Sequence, residues 1–241
     1  MKSHSISSNI RGYSQYGEDV LIWSFFKQKT SGAFFEAGAN HPTALSQTYL
    51  LESNGWHGVL VEPVPECCEL LRAQRPRSRV FENALGSPEQ RGPLKIIIPD
   101  GTTALASAYM DRVPLSANDR VIEVQVITMN DALQAAGIEK LDFLSLDMEG
   151  MELEAMRGFD FERYQPDFIL IEDRNENLDK HRFLKAEGYK LVYRKGSNNW
   201  YVPKSTAYPV SALTHLKIIR KLYVSIPFRR LRDASRKLRG N

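Results

Sequence analysis

The stretch Gly32-Ala-Phe-Phe-Glu-Ala-Gly-Ala-Asn40, continuing through Thr43–Gly55 to His57-Gly-Val-Leu-Val-Glu62, decides the fold. It reads as strand, tight turn, helix and second strand, with a carboxylate at each strand end. The short apolar run Ala33, Phe34, Phe35 between glycines suits a buried strand. Gly38 can adopt a backbone shape that a β-carbon resists, and it leaves room for a ligand to lie on the chain. The second strand ends in Glu62, roughly 20 residues beyond the turn, where an acid accepts hydrogen bonds from two ribose hydroxyls. The pattern is that of a nucleoside-binding βαβ unit; an ordinary strand-turn-helix with a surface carboxylate is the alternative.

The glycine spacing argues against a dinucleotide. In Gly38-Ala-Asn40-His-Pro42-Thr43, Asn40 and Thr43 stand where the second and third glycines of G-x-G-x-x-G would be. A pyrophosphate needs that second glycine for close approach. A nucleoside without pyrophosphate fits better, and S-adenosylmethionine is the common candidate.

Composition narrows the class. The chain has 241 residues, 42% hydrophobic and 25% charged, which suits one soluble α/β domain with appendages. No apolar run approaches the length of a membrane-spanning helix. The N-terminus Met1-Lys-Ser-His-Ser-Ile-Ser-Ser lacks the apolar core of a secretion signal, so a cytoplasmic location is expected. The two cysteines, Cys67 and Cys68, are adjacent and build neither a staple nor a zinc site. Of the 32 basic residues nine lie from Ser211 onward, against one of the 29 acids, so the body carries −5 and the tail +8. That asymmetry concerns partners rather than fold.

The remaining chain continues the alternation. Residues 1–12 are polar and expected to be flexible. Apolar positions 21, 22, 25 and 26 recur at helical spacing after Ser14-Gln-Tyr-Gly-Glu-Asp19, giving a helix that covers the first strand or roofs the ligand pocket. Pro65–Arg75 reads as a helix closed by Pro76. Arg79–Gly86 reads as a third strand running into a loop, and Glu82–Leu85 would border an adenine ring there. Leu94–Ile98 and Val121–Ile127 read as strands around a polar passage, and 99–120 is read as a substrate-facing insertion. Met129–Gly137 is a helix, Leu141–Asp147 the fourth strand, Met151–Arg157 a helix, and Pro166–Asp173 the fifth strand. Leu178–Glu187 is a helix, followed by two strands, Tyr189–Arg194 and Asn199–Val202, joined as a hairpin at Gly196. Such alternation calls for a mainly parallel sheet covered on both faces, with one antiparallel strand from the terminal hairpin.

Several of these pieces together resemble the FkbM family of S-adenosylmethionine-dependent methyltransferases. They are Ser14-Gln-Tyr-Gly-Glu-Asp19, Phe35-Glu-Ala-Gly-Ala-Asn-His-Pro42, Leu50-Leu-Glu-Ser-Asn-Gly-Trp-His-Gly58 with Val61-Glu-Pro63, Leu144-Ser-Leu-Asp-Met-Glu-Gly150 with Leu153-Glu-Ala-Met-Arg-Gly-Phe159, and Pro166-Asp-Phe-Ile-Leu-Ile-Glu172. The resemblance spans residues 12–203, within a domain bounded at 13–204. It implies a class I methyltransferase fold, a Rossmann-like seven-stranded sheet with the last strand antiparallel, and O-methylation, often of sugars or polyketide-type products. It further implies that Gln15, Tyr16 and Glu36 belong to the cofactor side, that Gly38 and Asn40 flank the methionine part, that Glu62 holds the ribose, and that Asn83, Ala84 and Leu85 lie along the adenine. Glu36 stands where many relatives carry Asp, and Met148 replaces a small β-branched residue.

Methyl transfer from a sulfonium is an in-line displacement, so alignment of the acceptor is the main task. An alcohol also needs a base or a metal to become nucleophilic. Asp147 ends strand four, Glu172 and Asp173 end strand five, and all three are expected to face one crevice. They would hold the acceptor, take its proton, or ligate Mg²⁺ with waters. Asp147 is also expected beside the cofactor. Glu149 either reaches the pocket or supports the following helix. His41, beside the cofactor turn, is a candidate general base or a structural loop residue. His181 is read as a surface residue, and Tyr16 either closes the pocket or packs in the core.

The tail, 205–241, reads as a basic amphipathic pair. Leu213, Leu216, Ile219, Tyr223 and Ile226 share one helical face, with Lys217, Arg220 and Lys221 on others; Phe228, Leu231, Ala234 and Leu238 repeat the pattern beyond Pro227. It suits peripheral contact with an anionic membrane at its inner face, and a docked helix, an oligomer contact or a nucleic-acid tail are alternatives. The leading expectation is O-methyl transfer to a hydroxyl of a sugar in a glycan or glycolipid. The alternatives are an RNA methyltransferase, disfavoured by the acidic body, and a non-catalytic binding module of the same fold.

Overall fold

The structure is a computed structural model that describes residues 10–103, 106, 117–173, 177–226 and 228. The expectations for residues 1–9, for most of the 99–120 insertion and for the tail beyond Phe228 lie outside the described residues.

The chain begins with a helix, α1 (Glu18–Phe25), and then alternates. β1 (Ala33–Ala37), α2 (Tyr49–Ser53), β2 (His57–Val61), α3 (Pro65–Gln74) and β3 (Ser78–Phe81) form the first half of the main sheet and its covering helices. β7 (Phe143–Leu146), α5 (Glu152–Arg157), α6 (Phe161–Tyr164), β8 (Phe168–Glu172), α7 (Asp179–Ala186), β9 (Tyr189–Lys195) and β10 (Asn198–Pro203) form the second. The strand order is β3-β2-β1-β7-β8-β10-β9, with β10 antiparallel to both neighbours and the other pairs parallel. The order reverses between β1 and β7. Open parallel sheets bind ligands at such a switch point, beyond the strands' carboxyl ends.

β1 is buried at every position because it is covered on both sides. Phe35 and Ala37 join Val61, Leu144, Leu146 and Ile171 under one helical layer. Phe34 joins Leu60, Phe143, Phe168 and Trp200 under the other, where Ile22 of α1, Phe26 just beyond its end and Trp56 pack. The first helix is thus a covering helix.

A second, three-stranded sheet breaks the alternation, in the order β4-β6-β5, from β4 (Ala84–Leu85), β5 (Gly92–Ile98) and β6 (Arg120–Ile127). It is followed by α4 (Met129–Ala136), whose N-terminus carries a capping box between Thr128 and Asp131. The expected third strand therefore splits: Ser78–Phe81 joins the main sheet, while Ala84–Leu85 pairs with β6 instead.

Two helical expectations change. The helix read over Thr43–Gly55 is confined to Tyr49–Ser53. Ser46, Gln47 and Thr48 spend their donors on the buried Glu36 carboxylate, which holds them as a loop. In the tail, α8 (Ala212–Ile219) runs into a π-helical stretch, Arg220–Ser225. Ile226, read on the same face as Leu213, is buried, and Lys221, read on a face other than that apolar one, is 4% exposed. The docked face buries Ile218, Leu222 and Ile226 together with Lys221, whose Nζ donates to Asp173 Oδ2 at 2.6 Å. His181 is not a free surface residue either: its Nδ1 lies 3.2 Å from the hydroxyl of buried Tyr201. No helix among the described residues is long and apolar enough to cross a membrane.

Candidate functional site

The switch point is closed by backbone. Gly38 N and Ala39 N both donate to Val61 O, at 2.9 and 3.3 Å, and Asp147 N donates to Ala37 O at 3.1 Å. Gly38 has φ 77°, and a β-carbon there would lie 1.8 Å from the Asp147 carbonyl oxygen. Only glycine lets the ends of β1 and β7 approach this closely. Asn40, at φ 44°, continues the turn.

Two cavities open on either side of this turn. The first, about 600 Å³, is lined on its β2 and β4 side by Val61, Glu62, Asn83, Ala84 and Leu85. Glu62 is 3% exposed, and its carboxylate accepts from Asn40 N at 2.9 Å and Val64 N at 3.0 Å. Burial pushes its pKa up to about 7 against those two hydrogen bonds. Thr103 and Ala106 of the insertion also line this cavity, and Thr103 Oγ1 donates to Asn40 Oδ1 at 2.7 Å. The described part of the insertion thus borders the Glu62 cavity and not the second one.

The second cavity, about 970 Å³, is lined by Gln15, Tyr16, Glu36, Gln47, Ser145, Glu172 and Ser197 among others. Among the described residues, no lysine or arginine lines it. Its polar lining is dominated by oxygen: three carboxylates come together where Asp147, Glu149 and Glu172 have ligand oxygens within 4.8 Å of one another. Asp147 opens to the crevice, yet its carboxyl is held well above the usual carboxylate range. Enclosure is the first cause, and Glu172, Glu149 and Glu152 add to it. The Gln47 side-chain oxygen, on a residue 7% exposed, has no hydrogen-bond partner. A buried carbonyl oxygen left this way is unfavourable unless a ligand donor reaches it.

Gly38, Asn40, Asp147 and Glu149 line both cavities. The two meet at the end of β7.

The surroundings fix this arrangement. Glu152, fully buried, accepts from Met148 N and Gly150 N at 3.0 Å each, so it is Glu152 that organises the turn and the start of α5. Glu149 sits between them at φ 53°. Lys180 donates to Glu152 Oε2 at 2.7 Å and to the Glu172 carbonyl at 2.8 Å, tying the acidic turn to β8. Beneath the other cavity wall, Glu36 accepts from Gln47 N at 2.8 Å and from the Ser46 and Thr48 hydroxyls, with Arg75 at 3.9 Å. Arg75 is buried and also pairs with Glu52 at 2.7 Å. Glu36 therefore buttresses the loop as well as lining the cavity. The Tyr16 carbonyl is held by Lys195, and its ring lies against Gly196.

Two expected site residues are elsewhere. His41 is exposed and lines neither cavity; its Nδ1 accepts from Thr43 N at 3.1 Å and Ala44 N at 2.9 Å, which turns the ring outward. Asp173 is buried away from the crevice, held by Lys221 and by Asn199 Nδ2 at 2.8 Å. Successive residues at a strand end point to opposite faces, so Glu172 and Asp173 cannot share one site. Sequence reading missed Arg75, Glu52, Glu152, Lys180 and Gln47. The one signal available was charge inside apolar runs, as at Glu52 in Leu50-Leu-Glu-Ser53.

No curated protein matches the chain. Solved structures of similar shape include the precorrin-6y C5,15-methyltransferase of Geobacter metallireducens (13% identity, 82% of this chain and 94% of that one, TM-score 0.39). The METTL16 methyltransferase domain gives 12% identity over 76% of this chain and 63% of that one, with a TM-score of 0.41. A TehB-like SAM-dependent methyltransferase of Corynebacterium glutamicum gives 9% identity over 77% and 87%, with a TM-score of 0.40. At this level of likeness they bear on neither substrate nor reaction. The methyltransferase FkbM domain, by contrast, matches residues 36–191, which hold the glycine turn, Glu62, the acidic turn after β7 and the end of β8. The chain belongs to the FkbM methyltransferase family and is an S-adenosylmethionine-dependent methyltransferase.

Proposed function

We propose that the chain transfers the methyl group to a hydroxyl, that of a sugar in a glycan or glycolipid. The observation that carries this reading is the meeting of the two cavities at Gly38, Asn40, Asp147 and Glu149. The cofactor's adenosine would lie in the first cavity, with its ribose hydroxyls donating to Glu62 and its adenine along Asn83–Leu85. Its methyl group would then face the carboxylates of the second cavity. One sulfur–carbon bond breaks as one oxygen–carbon bond forms, and the hydroxyl proton passes to a carboxylate. Asp147 is the group best suited to receive it. Its raised pKa makes it a stronger base than an ordinary carboxylate, closer to the operating pH.

A polar, carboxylate-rich cavity with no lysine or arginine among its described lining residues suits a neutral, hydroxyl-rich acceptor. The same lining disfavours a phosphate-rich acceptor such as RNA, which carboxylates would repel. The three clustered carboxylates are also a hard-oxygen donor set that fits Mg²⁺ with waters completing the shell. Such an ion would lower the pKa of the acceptor hydroxyl.

Asp147→Asn tests the assignment. Expected is S-adenosylhomocysteine binding close to wild type, with methyl transfer to a glycan panel reduced at least 100-fold, the scale of a lost general base. Turnover near wild type would remove Asp147 from the acceptor side. Transfer to RNA but not to glycans would replace the acceptor class.

A further inference from the structure

The helix that follows the methyltransferase domain has two faces with different fates. Ile218, Lys221, Leu222 and Ile226 are 1–8% exposed and dock against the domain beside β9. The opposite face carries Leu213, Leu216, Ile219, Tyr223 and Val224, which are 40–73% exposed, and Phe228 beyond it is 67% exposed. These are the majority of the large exposed apolar residues described. Single exposed apolar side chains are unremarkable; a contiguous row on one short helix marks an interaction surface.

The row is set in positive charge. Lys217 and Arg220 lie on the exposed side of the helix, and no acid among the described residues pairs with either. A groove between the helix and the end of the β9–β10 hairpin adds Arg194 and Lys195 to its wall. The sequence from Ser211 onward holds nine Lys/Arg and one acid, while the rest of the chain is net acidic. Apolar side chains framed by cations match the boundary between acyl chains and anionic headgroups. A nucleic acid would engage the cations but leave Leu213, Leu216, Ile219 and Val224 in water. A second copy of the chain would bring cation against cation.

We propose that the exposed face of residues 212–226, with Phe228, lies on an anionic lipid bilayer. Leu213, Leu216, Ile219 and Tyr223 enter the interface, and Lys217 and Arg220 meet the lipid phosphates. The other face stays docked on the domain through Lys221 and Asp173. The hairpin turn links this surface to the crevice: Gly196 lines the basic groove and Ser197 the acidic cavity. The surface would therefore sit beside the crevice mouth.

The test is sedimentation of the full chain with vesicles of phosphatidylcholine alone or containing about one third phosphatidylglycerol, the anionic component supplying the surface potential. Expected is pelleting with the anionic vesicles only, weakened as salt rises to about 0.5 M, where charge is screened within a few ångströms. The triple variant Leu213→Glu, Leu216→Glu, Tyr223→Glu should lose at least tenfold in partitioning. Its unfolding transition and S-adenosylhomocysteine affinity should stay as in wild type, because all three residues are exposed. Lys217→Glu with Arg220→Glu should weaken binding mainly at low salt. No pelleting with anionic vesicles, or undiminished pelleting of the triple variant, would overturn the proposal. So would a wild-type dimer in light scattering that the triple variant abolishes while vesicles leave both unbound. None of these readouts depends on methyl transfer.

Discussion

Replacing Glu62 by Gln separates the electrostatics of the proposed cofactor pocket from the rest of the protein. The native carboxyl is buried between two backbone donors, and its pKa is raised from 4.5 to about 7, burial being the largest cause. The folded state therefore holds this proton more tightly than the unfolded chain does. Its stabilising effect is complete below about pH 4.5 and is lost as pH rises through about 7. At about 1.4 kcal/mol per pH unit, that window amounts to about 3–4 kcal/mol. Gln does not titrate, and it offers one acceptor oxygen to two N–H donors, a loss of about 1–3 kcal/mol at every pH. The variant should thus be clearly less stable than wild type at pH 4.5, and equal or more stable at pH 8. Guanidinium unfolding across that range reads the difference directly, because the other titrating groups are common to both proteins. Cofactor binding carries the same signature. Ribose hydroxyls donate to a carboxylate better than to a carboxylic acid, so wild-type affinity for S-adenosylhomocysteine should rise up to tenfold per pH unit toward about pH 7 and then level off. In Glu62→Gln the affinity should be at least tenfold lower and lack that slope. Parallel stability curves and parallel binding curves for the two proteins would refute the reasoning.

Three further outcomes follow from the geometry. Gly38→Ala puts a β-carbon 1.8 Å from the Asp147 carbonyl at φ 77°, so the loop must move; a stability loss of at least about 1–2 kcal/mol and loss of cofactor binding in calorimetry are expected. Lys221→Met strands the buried Asp173 charge and should cost about 3–5 kcal/mol in denaturant unfolding, most of it recovered in the double variant with Asp173→Asn. Chelator should lower methyl transfer at least tenfold, and Mg²⁺ should restore it, if the three carboxylates hold an ion; full activity in chelator would assign them to hydrogen bonding alone.

Much of the proposed cofactor side was legible along the chain because it is local. Gly38, Asn40 and Glu62 belong to one βαβ unit, and their separation in sequence sets their separation in space. The acidic side depended on sheet order. Asp147 and Glu172 stand next to one another because β7 and β8 are neighbours, and their separation along the chain conceals this. Glu172 and Asp173 divide between faces by the twofold period of a strand, a rule available from sequence but overridden by the clustering of acids. His41 stood in the right loop, but the loop's own amides took its ring nitrogen.

By itself the sequence determined the alternation of strand and helix, the parallel sheet, the terminal hairpin and the glycine at the turn after β1. These follow from periodicity and from the steric freedom of a residue without a β-carbon. Tertiary structure alone decided which charges are spent inside the protein. Arg75, Glu52, Glu152, Lys180 and Lys221 look like surface residues in a one-dimensional pattern, yet each is bound by partners elsewhere in the fold. A charge buried without a partner is too unfavourable to persist. Which ions are used up, and which face of the tail helix is left for something outside, is therefore settled only when the chain has folded.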